Sequence, residues 1–153
     1  MAEKIAEIGE YYPGETIAEE LVYFNRFVKR GTDLYDIKMC DAGENCIGAV
    51  EFDYRAKFKD DSARTGWKQG EELPVKGNGW AWIVSGEALT KGDKVKAGTD
   101  GVAMKYTALD AAGSYSESGI QAIADQEDIR LGEVLIGTTT PGNLVKIQLK
   151  GWI

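Results

Sequence analysis

The chain has 153 residues, of which 43% are hydrophobic and 28% charged, and its formal net charge at pH 7 is −7. This is the size of one domain with enough apolar residues for a core, and the acidic balance argues against a nucleic-acid-binding protein, which needs a basic face. The absence of histidine excludes Ser-His-Asp and Cys-His catalysis and histidine-ligated metals.

No apolar run approaches the ~20 residues of a membrane-spanning helix, and the N-terminus lacks a secretory signal pattern. We therefore expect a soluble protein made in the cytoplasm, with no membrane partner. Gly occurs 19 times and Pro only 3 times. Many glycines with few prolines indicate tight turns between strands, so we expect a mainly β fold with little helix.

Residues 1–20 are predicted to form an N-terminal arm, and residues 21–153 a single β-rich domain. The arm is acidic, with six Glu and one Lys. Its apolar and aromatic side chains give a partial helical period, which Pro13-Gly14 breaks; they are Ile5, Ile8, Tyr11 and Tyr12. So short a helix is marginal alone, so the arm must dock on its own body, on a sister subunit or on another protein.

From Val22 onward, β-branched and aromatic residues favour strands, although residues 15–30 also allow one helical face. Alternating or continuous apolar patterns predict strands at 36–40, 46–52, 80–84, 102–106, 134–138 and 144–149. A turn is predicted at 76–79, a turn-strand-turn unit at 86–101, and loops at 53–66 and 108–128.

One pattern occurs twice. Residues 28–33 read Val-Lys-Arg-Gly-Thr-Asp, and residues 95–100 read Val-Lys-Ala-Gly-Thr-Asp. Each copy is followed by an Ile-Gly pair, at 47–48 and 136–137. Two similar strand-turn units that face each other in one barrel or sandwich would produce this echo, and chance similarity of turn residues is the alternative.

No motif predicts catalysis, a metal site or a cofactor, so the chain is not expected to be an enzyme. The adjacent carboxylates at 60–61 and 71–72 would point to opposite faces of a strand and make poor acid–base pairs. Cys40 and Cys46 could meet across a hairpin, but two free thiols with at least one buried are favoured.

Two other functions remain open. Ala103-Met104-Lys105 is similar to the modified tip of biotinyl and lipoyl carrier domains, although Tyr106 stands where Met is expected. Four tryptophans could pack the core, form a subunit interface, or give stacking platforms to a carbohydrate-binding β-sandwich; they are Trp67, Trp80, Trp82 and Trp152.

The units at 86–95 and 98–101, followed by the closing segments 135–138 and 141–149, resemble the capsid decoration (cement) proteins of tailed bacteriophages and related viruses. The segments 27–29 and 46–50 fit the first half of the same pattern. The resemblance covers roughly residues 22–153 and leaves out residues 1–20 and 53–75. Its motifs are turn and strand patterns, not catalytic signatures.

The resemblance implies a small β-barrel or β-tulip-like domain that assembles as a homotrimer. It implies binding to the major capsid protein on the outside of the mature virion shell, where such trimers bridge neighbouring capsid subunits. It also implies that the arm reaches across to the capsid protein. A carrier domain modified at Lys105 and a carbohydrate-binding sandwich are the alternatives.

Overall fold

The computed structural model describes residues 9–11, 16–52, 64–107 and 129–151. These contain strands β1 Gly9–Tyr11, β2 Ile17–Ala18, β3 Val22–Tyr23, β4 Arg26–Arg30, β5 Asp36–Met39, β6 Gly48–Val50, β7 Gly66–Trp67, β8 Lys76–Val84, β9 Lys94–Ala97, β10 Ala103–Lys105, β11 Gly132–Ile136 and β12 Leu144–Leu149. A single 3-10 turn, Thr99–Gly101, is the helical element of this described part. The mainly β prediction is confirmed.

Most strands belong to one mixed sheet in the order β10-β9-β11-β12-β8-β6-β4-β5-β2, and β1 also pairs with β8. The β2–β5 pair is parallel, whereas the other pairs are antiparallel. Strands β3 and β7 form a second, two-stranded sheet. An isolated bridge joins Ser85, just after β8, to Ala103 of β10. Within the described ranges the sheet stays open, so the expected closed barrel is not found.

Strand β8 lies in the middle of this sheet and joins its two halves. Its first residues pair with β1 and β6, and residues 80–84 pair with β12. The turn predicted at 76–79 is wrong, because the chain runs through it as a continuous strand. Gly79 lies within this strand at φ +88°, a conformation that glycine adopts without steric cost. Because such a conformation is also common in turns, the sequence at 76–79 is typical of a turn.

The structure describes two stretches of the expected arm, residues 9–11 and 16–20, and each contributes a strand to the main sheet. Gly9 pairs with Gly79 of β8, and Ala18 of β2 pairs with Ile37 of β5 and is buried. The helical alternative for residues 15–30 is wrong where the chain is described, since β2, β3 and β4 occupy it. Residues 53–63 of the loop predicted at 53–66, the loop predicted at 108–128 and the partial helical period before Gly9 lie outside the described residues. Gly66, the last residue of the first loop, begins β7 instead.

The buried apolar residues form two clusters. The larger cluster lies between β8, β9, β11 and β12 and includes Phe27 of β4. The smaller cluster lies between the β3–β7 pair and β4, β5 and β6, with Trp67 and Phe24 in T-shaped contact at 6.0 Å between ring centroids. Such edge-to-face pairs add to the burial of the rings themselves.

The preference for two free thiols is wrong: Cys40 and Cys46 form a buried disulfide. Strands β5 and β6 flank β4 on its two sides, so the cysteines at the end of β5 and just before β6 meet beside Phe27, with Cα atoms 6.3 Å apart. The long-range pairing of three strands brings these thiols together, and no local sequence pattern shows it.

The two copies of the repeated pattern occupy matching places. The first runs through β4 and its turn into β5, and the second runs through β9 and its turn into β10. Each central strand has a second neighbour, β6 for β4 and β11 for β9. Nothing in the described part of the chain is a helix long and apolar enough to cross a membrane.

Candidate interaction surfaces

One edge of β8 is satisfied by side chains instead of a neighbouring strand. Lys76 Nζ lies 2.5 Å from Glu51 Oε1 and donates to the Trp80 carbonyl at 3.0 Å. The Trp82 N–H donates to Glu51 Oε2 at 3.1 Å, and Asn25 Nδ2 donates to the Trp82 carbonyl at 2.8 Å. Since buried backbone groups need partners, these contacts account for the presence of a buried ion pair here.

This ion pair is structural in character. Both side chains are nearly inaccessible, and burial raises the pKa of the Glu51 carboxyl, although Lys76 and the Trp82 N–H lower it in part. Across the described ranges no group of three or more acidic or cysteine side chains is placed to hold a metal ion. The charges therefore hold the backbone of β8, and with it the two tryptophans on the outer side of the strand.

The outer side of β8, β12 and β11 forms a partly exposed apolar surface, here called the tryptophan face. It consists of Trp80, Trp82, Val84, Ile136, Leu144 and Lys146. The register places these residues side by side, with Leu144 opposite Val84 and Lys146 between Trp82 and Ile136. Ile136 is 49% exposed.

Lys146 is the charged residue among these six. Its amino group lies 3.8 Å from the centroid of the Trp80 ring, in a cation–π contact. Because the backbone of Trp80 and Trp82 is also held at the edge of β8 by Lys76 and Glu51, the aromatic platform is preorganised. A rigid aromatic surface loses little conformational entropy when a partner covers it.

A second apolar surface lies at the turn between β4 and β5. Leu34 and Tyr35 are 68% and 54% exposed, and together they are called the 34–35 tip. The Arg30 guanidinium donates to the Leu34 carbonyl at 2.9 Å, and the Asp33 N–H donates to the Asp36 carboxylate at 3.2 Å. These bonds order the turn that presents the two side chains.

The predicted site residues are widely separated. Trp67 is 3% exposed and packs in the smaller core, whereas Trp80 and Trp82 lie on the tryptophan face. Tyr11 belongs to β1, beside β8. The remaining candidates lie outside the described residues: Ile5, Ile8, Tyr12 and Trp152.

The carrier alternative does not fit the position of Lys105. That residue pairs with Val95 at the end of the β9–β10 hairpin away from its turn, whereas a carrier lysine must stand at the tip. Its amino group lies 3.9 Å from a carboxylate oxygen of Asp93. Stacking on a sugar ring is likewise closed to Trp67, because its ring is buried.

Sequence reasoning missed the 34–35 tip and the contribution of Ile136 and Leu144. The available signal was weak: Leu34 and Tyr35 directly follow the Gly31-Thr32-Asp33 turn, where apolar side chains have no strand to carry them inward. Ile136 and Leu144 lie in correctly predicted strands, but only the register shows that they join the tryptophans on one face.

Comparisons with known proteins gave a family match and a structural match. The family model described as "Structural cement protein (E217 gp24/Pam3 gp6)" matches residues 5–150. The crystal structure of the head fiber gp8.5 N base of bacteriophage phi29 is similar in fold, with a TM-score of 0.56 and 14% identity, covering 92% of this chain and 95% of that one. No curated protein matches the sequence. The chain belongs to the phage structural cement protein family.

Proposed function

We propose that this chain binds the outside of the mature capsid as a homotrimer and stabilises the shell by bridging neighbouring molecules of the major capsid protein. Its family makes it a structural, non-enzymatic component of the phage capsid. The oligomeric state, the capsid contact and the bridging are the proposal.

The observation that carries the proposal is the presence of two separate exposed apolar surfaces. Asn25, just before β4, contacts the backbone of Trp82, while the 34–35 tip follows the other end of β4. Strand β4 has five residues, so its two ends are separated by about 17 Å at ~3.4 Å per residue. A protein that bridges others needs at least two such surfaces, and a rigid body between them.

Binding of this kind stabilises the shell by mass action. A ligand that binds the assembled lattice and not free subunits adds RT ln(1 + [L]/Kd) per site, or ~4 kcal/mol at a thousand-fold excess over Kd. A trimer that engages several capsid subunits at once gains avidity of about a hundred-fold or more without new types of contact. No catalytic group is needed.

The arm residues Ile5, Ile8, Tyr11 and Tyr12 are assigned to the capsid contact. Strand β1, which contains Tyr11, pairs with β8 of its own chain and so fixes the arm to the body. The residues beside it would then bind the capsid by β-augmentation. In that mode, backbone hydrogen bonds give affinity and pockets for alternate side chains give specificity.

The test is co-sedimentation of the full chain with emptied mature shells of its own phage and with unexpanded shells. We expect saturable binding to mature shells and a higher temperature of shell disruption. The paired substitution Ile5→Ser and Ile8→Ser is expected to weaken binding at least ten-fold, whereas Ala6→Ser, in the same segment, leaves it unchanged. Failure of the unmodified chain to bind mature shells would sink the proposal, and equal binding by both variants would remove the arm from it.

A further inference from the structure

We propose that Asn78 is a site of spontaneous deamidation, in which its side-chain amide is converted to a carboxyl group. The reaction takes no enzyme or cofactor, and water is the co-reactant. Asn78 lies in the strand pair that fixes the arm to the body, and the modified residue is expected to loosen that pair. The inference concerns the free chain and does not depend on the proposed function.

The reacting atoms of Asn78 and Gly79 are in contact. The Gly79 N–H donates to Asn78 Oδ1 at 2.7 Å. Because Oδ1 is bonded to Cγ, the carbon that is attacked lies beside the nitrogen that attacks it. Holding two reacting groups in contact removes much of the entropic cost of bringing them together. Asn78 is only partly buried, so water has access to it.

The backbone around Asn78 is irregular and offers little steric hindrance. Glycines precede and follow the residue, and Gly79 has φ +88°. In the pairing with β1, Asn78 and Lys76 face consecutive residues of that strand, so Gly77 is an extra residue in β8. Such a β-bulge disrupts the ladder locally. Since Gly79 has no Cβ, no side chain obstructs ring closure onto its nitrogen.

The reaction balances with water alone. The Gly79 nitrogen, after losing its proton to base, forms a bond to Cγ of Asn78, and the Cγ–Nδ2 bond breaks as ammonia leaves. Water then opens the five-membered succinimide ring at one of its two carbonyls. Cleavage of the bond from nitrogen to Cγ gives aspartate. Cleavage of the bond from nitrogen to the main-chain carbonyl carbon gives isoaspartate, whose main chain runs through Cβ and Cγ.

The other asparagines in the sequence are each followed by a residue with a side chain, namely Arg26, Cys46 and Leu144. Asn143 is the most useful comparison, because it is exposed and precedes bulky Leu144. Its Nδ2 donates to Thr138 Oγ1 at 3.4 Å, which holds the amide away from the following nitrogen. We therefore expect Asn78 to react first, with Asn143 as an internal reference.

Deamidation changes the β1–β8 pair in two ways. It adds a carboxyl group, ionised at neutral pH, at the position opposite Glu10. Like charges at directly opposite positions of an antiparallel pair are destabilising. The isoaspartate form also lengthens the main chain by one methylene between Gly79, which pairs with Gly9, and Lys76. We expect both changes to weaken the pairing of residues 9–11 with β8.

Ageing of the purified full chain tests the site. The folded protein and a synthetic peptide of residues 75–82 would be kept in mildly alkaline buffer, and deamidation would be followed by peptide-mapping mass spectrometry. Because the reacting atoms are already in contact, we expect Asn78 of the folded chain to convert within about ten-fold of the peptide rate. It should convert at least ten-fold faster than Asn143.

An isoaspartate methyltransferase with a labelled methyl donor identifies the product. It should label the aged chain and leave Asn78→Gln unlabelled, since the longer glutamine side chain cannot close the five-membered ring. Conversion of Asn78 more than ten-fold slower than in the peptide, or no faster than that of Asn143, would overturn the site, because the fold would then protect this asparagine.

The effect on the arm has its own readout. The modified chain can be separated by its added negative charge, and its hydrogen exchange compared with that of the unmodified chain. Exchange at residues 9–11 should be faster, with the Gly98 N–H, which donates to the Val102 carbonyl, as the unchanged reference. Asn78→Asp adds the charge without the methylene and should show a smaller increase. Equal exchange at residues 9–11 in modified and unmodified chains would refute the loosening.

Discussion

The two hairpins that share the Val-Lys-x-Gly-Thr-Asp pattern have different surroundings. The β9–β10 turn is a 3-10 turn that packs against β4 within the chain, and Gly101 at its end is buried. The β4–β5 turn ends in Leu34 and Tyr35, which are exposed. The shared residues set the strand and the entry to the turn, and the residues that follow decide whether the turn packs internally.

The difference has a steric origin. Gly101 has φ +74° and lies so close to Phe27 that an added Cβ would overlap the Phe27 carbonyl oxygen. The glycine thus allows a close approach of one hairpin to the central strand of the other. At the corresponding place in the first hairpin, Leu34 carries a bulky side chain, so the same approach is closed to it. The chain therefore has one turn that packs against β4 and one turn that is exposed.

The largest effect is expected at β8, which connects the two halves. Lys76→Met leaves the Glu51 carboxylate buried without its cation and removes the donor to the Trp80 carbonyl. Breaking a buried ion pair by removing one partner costs about 3–5 kcal/mol. We expect the free energy of unfolding, measured by urea denaturation, to fall by that amount in both halves together.

The matched control for this prediction is Lys94→Met. Lys94 Nζ and Glu133 Oε1 also lie 2.5 Å apart, but the two side chains are 42% and 43% exposed. An exposed pair contributes under about 1 kcal/mol. Equal losses in the two variants would show that burial of the Glu51–Lys76 pair has no energetic importance, and the account of the β8 edge would be wrong.

A smaller effect is expected from Gly101→Ala, a substitution in the β9–β10 turn that packs against β4. The substitution forces a non-glycine residue into a left-handed conformation and pushes the turn away from Phe27, at a cost of about 2–3 kcal/mol. Gly43→Ala is the control, since Gly43 has the same φ of +74° with nothing within 4 Å of its added Cβ. The free energy of unfolding of this control, measured by thermal denaturation, should fall by only about 1 kcal/mol. If both variants lose the same free energy of unfolding, close packing of the β9–β10 turn on β4 does not contribute to stability.

Much of the fold could be predicted because local patterns carry it. Alternation identified the strands near 36–40 and 144–149, and β-branched and aromatic residues identified 80–84. The turn expected at 76–79 was wrong because Gly77-Asn78-Gly79 is typical of a turn, whereas pairing with β1 and β6 keeps it extended. Tertiary pairing here overrides a local preference.

The candidate surfaces were harder to predict, because they depend on contacts far apart in the sequence. Glu51 and Lys76 are 25 residues apart and have the composition of ordinary surface charges. Trp80 and Trp82 were expected on one side of a strand, but whether that side is core or surface depends on which other parts of the chain pack against it. At the edge of β8, the side chains of Glu51 and Asn25 bind the backbone of Trp82 in place of a neighbouring strand, and no sequence pattern predicts these contacts.

The smallest expected effect is a difference in acid sensitivity between the hairpins. Two carboxylates that contact the β4–β5 hairpin have a lowered pKa. Hydrogen bonds from Thr32 lower the pKa of the Glu19 carboxyl, and the ion pair with Lys29 lowers the pKa of the Glu44 carboxyl. Carboxyls with a lowered folded-state pKa stabilise the fold above their unfolded value of 4.5, and this stabilisation is lost as the pH falls through the folded pKa. Acid should therefore loosen the first hairpin before the second.

Hydrogen-exchange protection factors, corrected for intrinsic rates, give the comparison directly. Between pH 6 and pH 3, protection of the Gly31 N–H, which donates to the Asp36 carbonyl, should fall more than that of the Gly98 N–H, which donates to the Val102 carbonyl. Glu19→Gln should lower Gly31 protection at pH 6 and reduce its dependence on pH, because the amide cannot ionise. Parallel loss in the two hairpins would mean that the carboxylates do not distinguish them, and that the first turn is held by its backbone bonds alone.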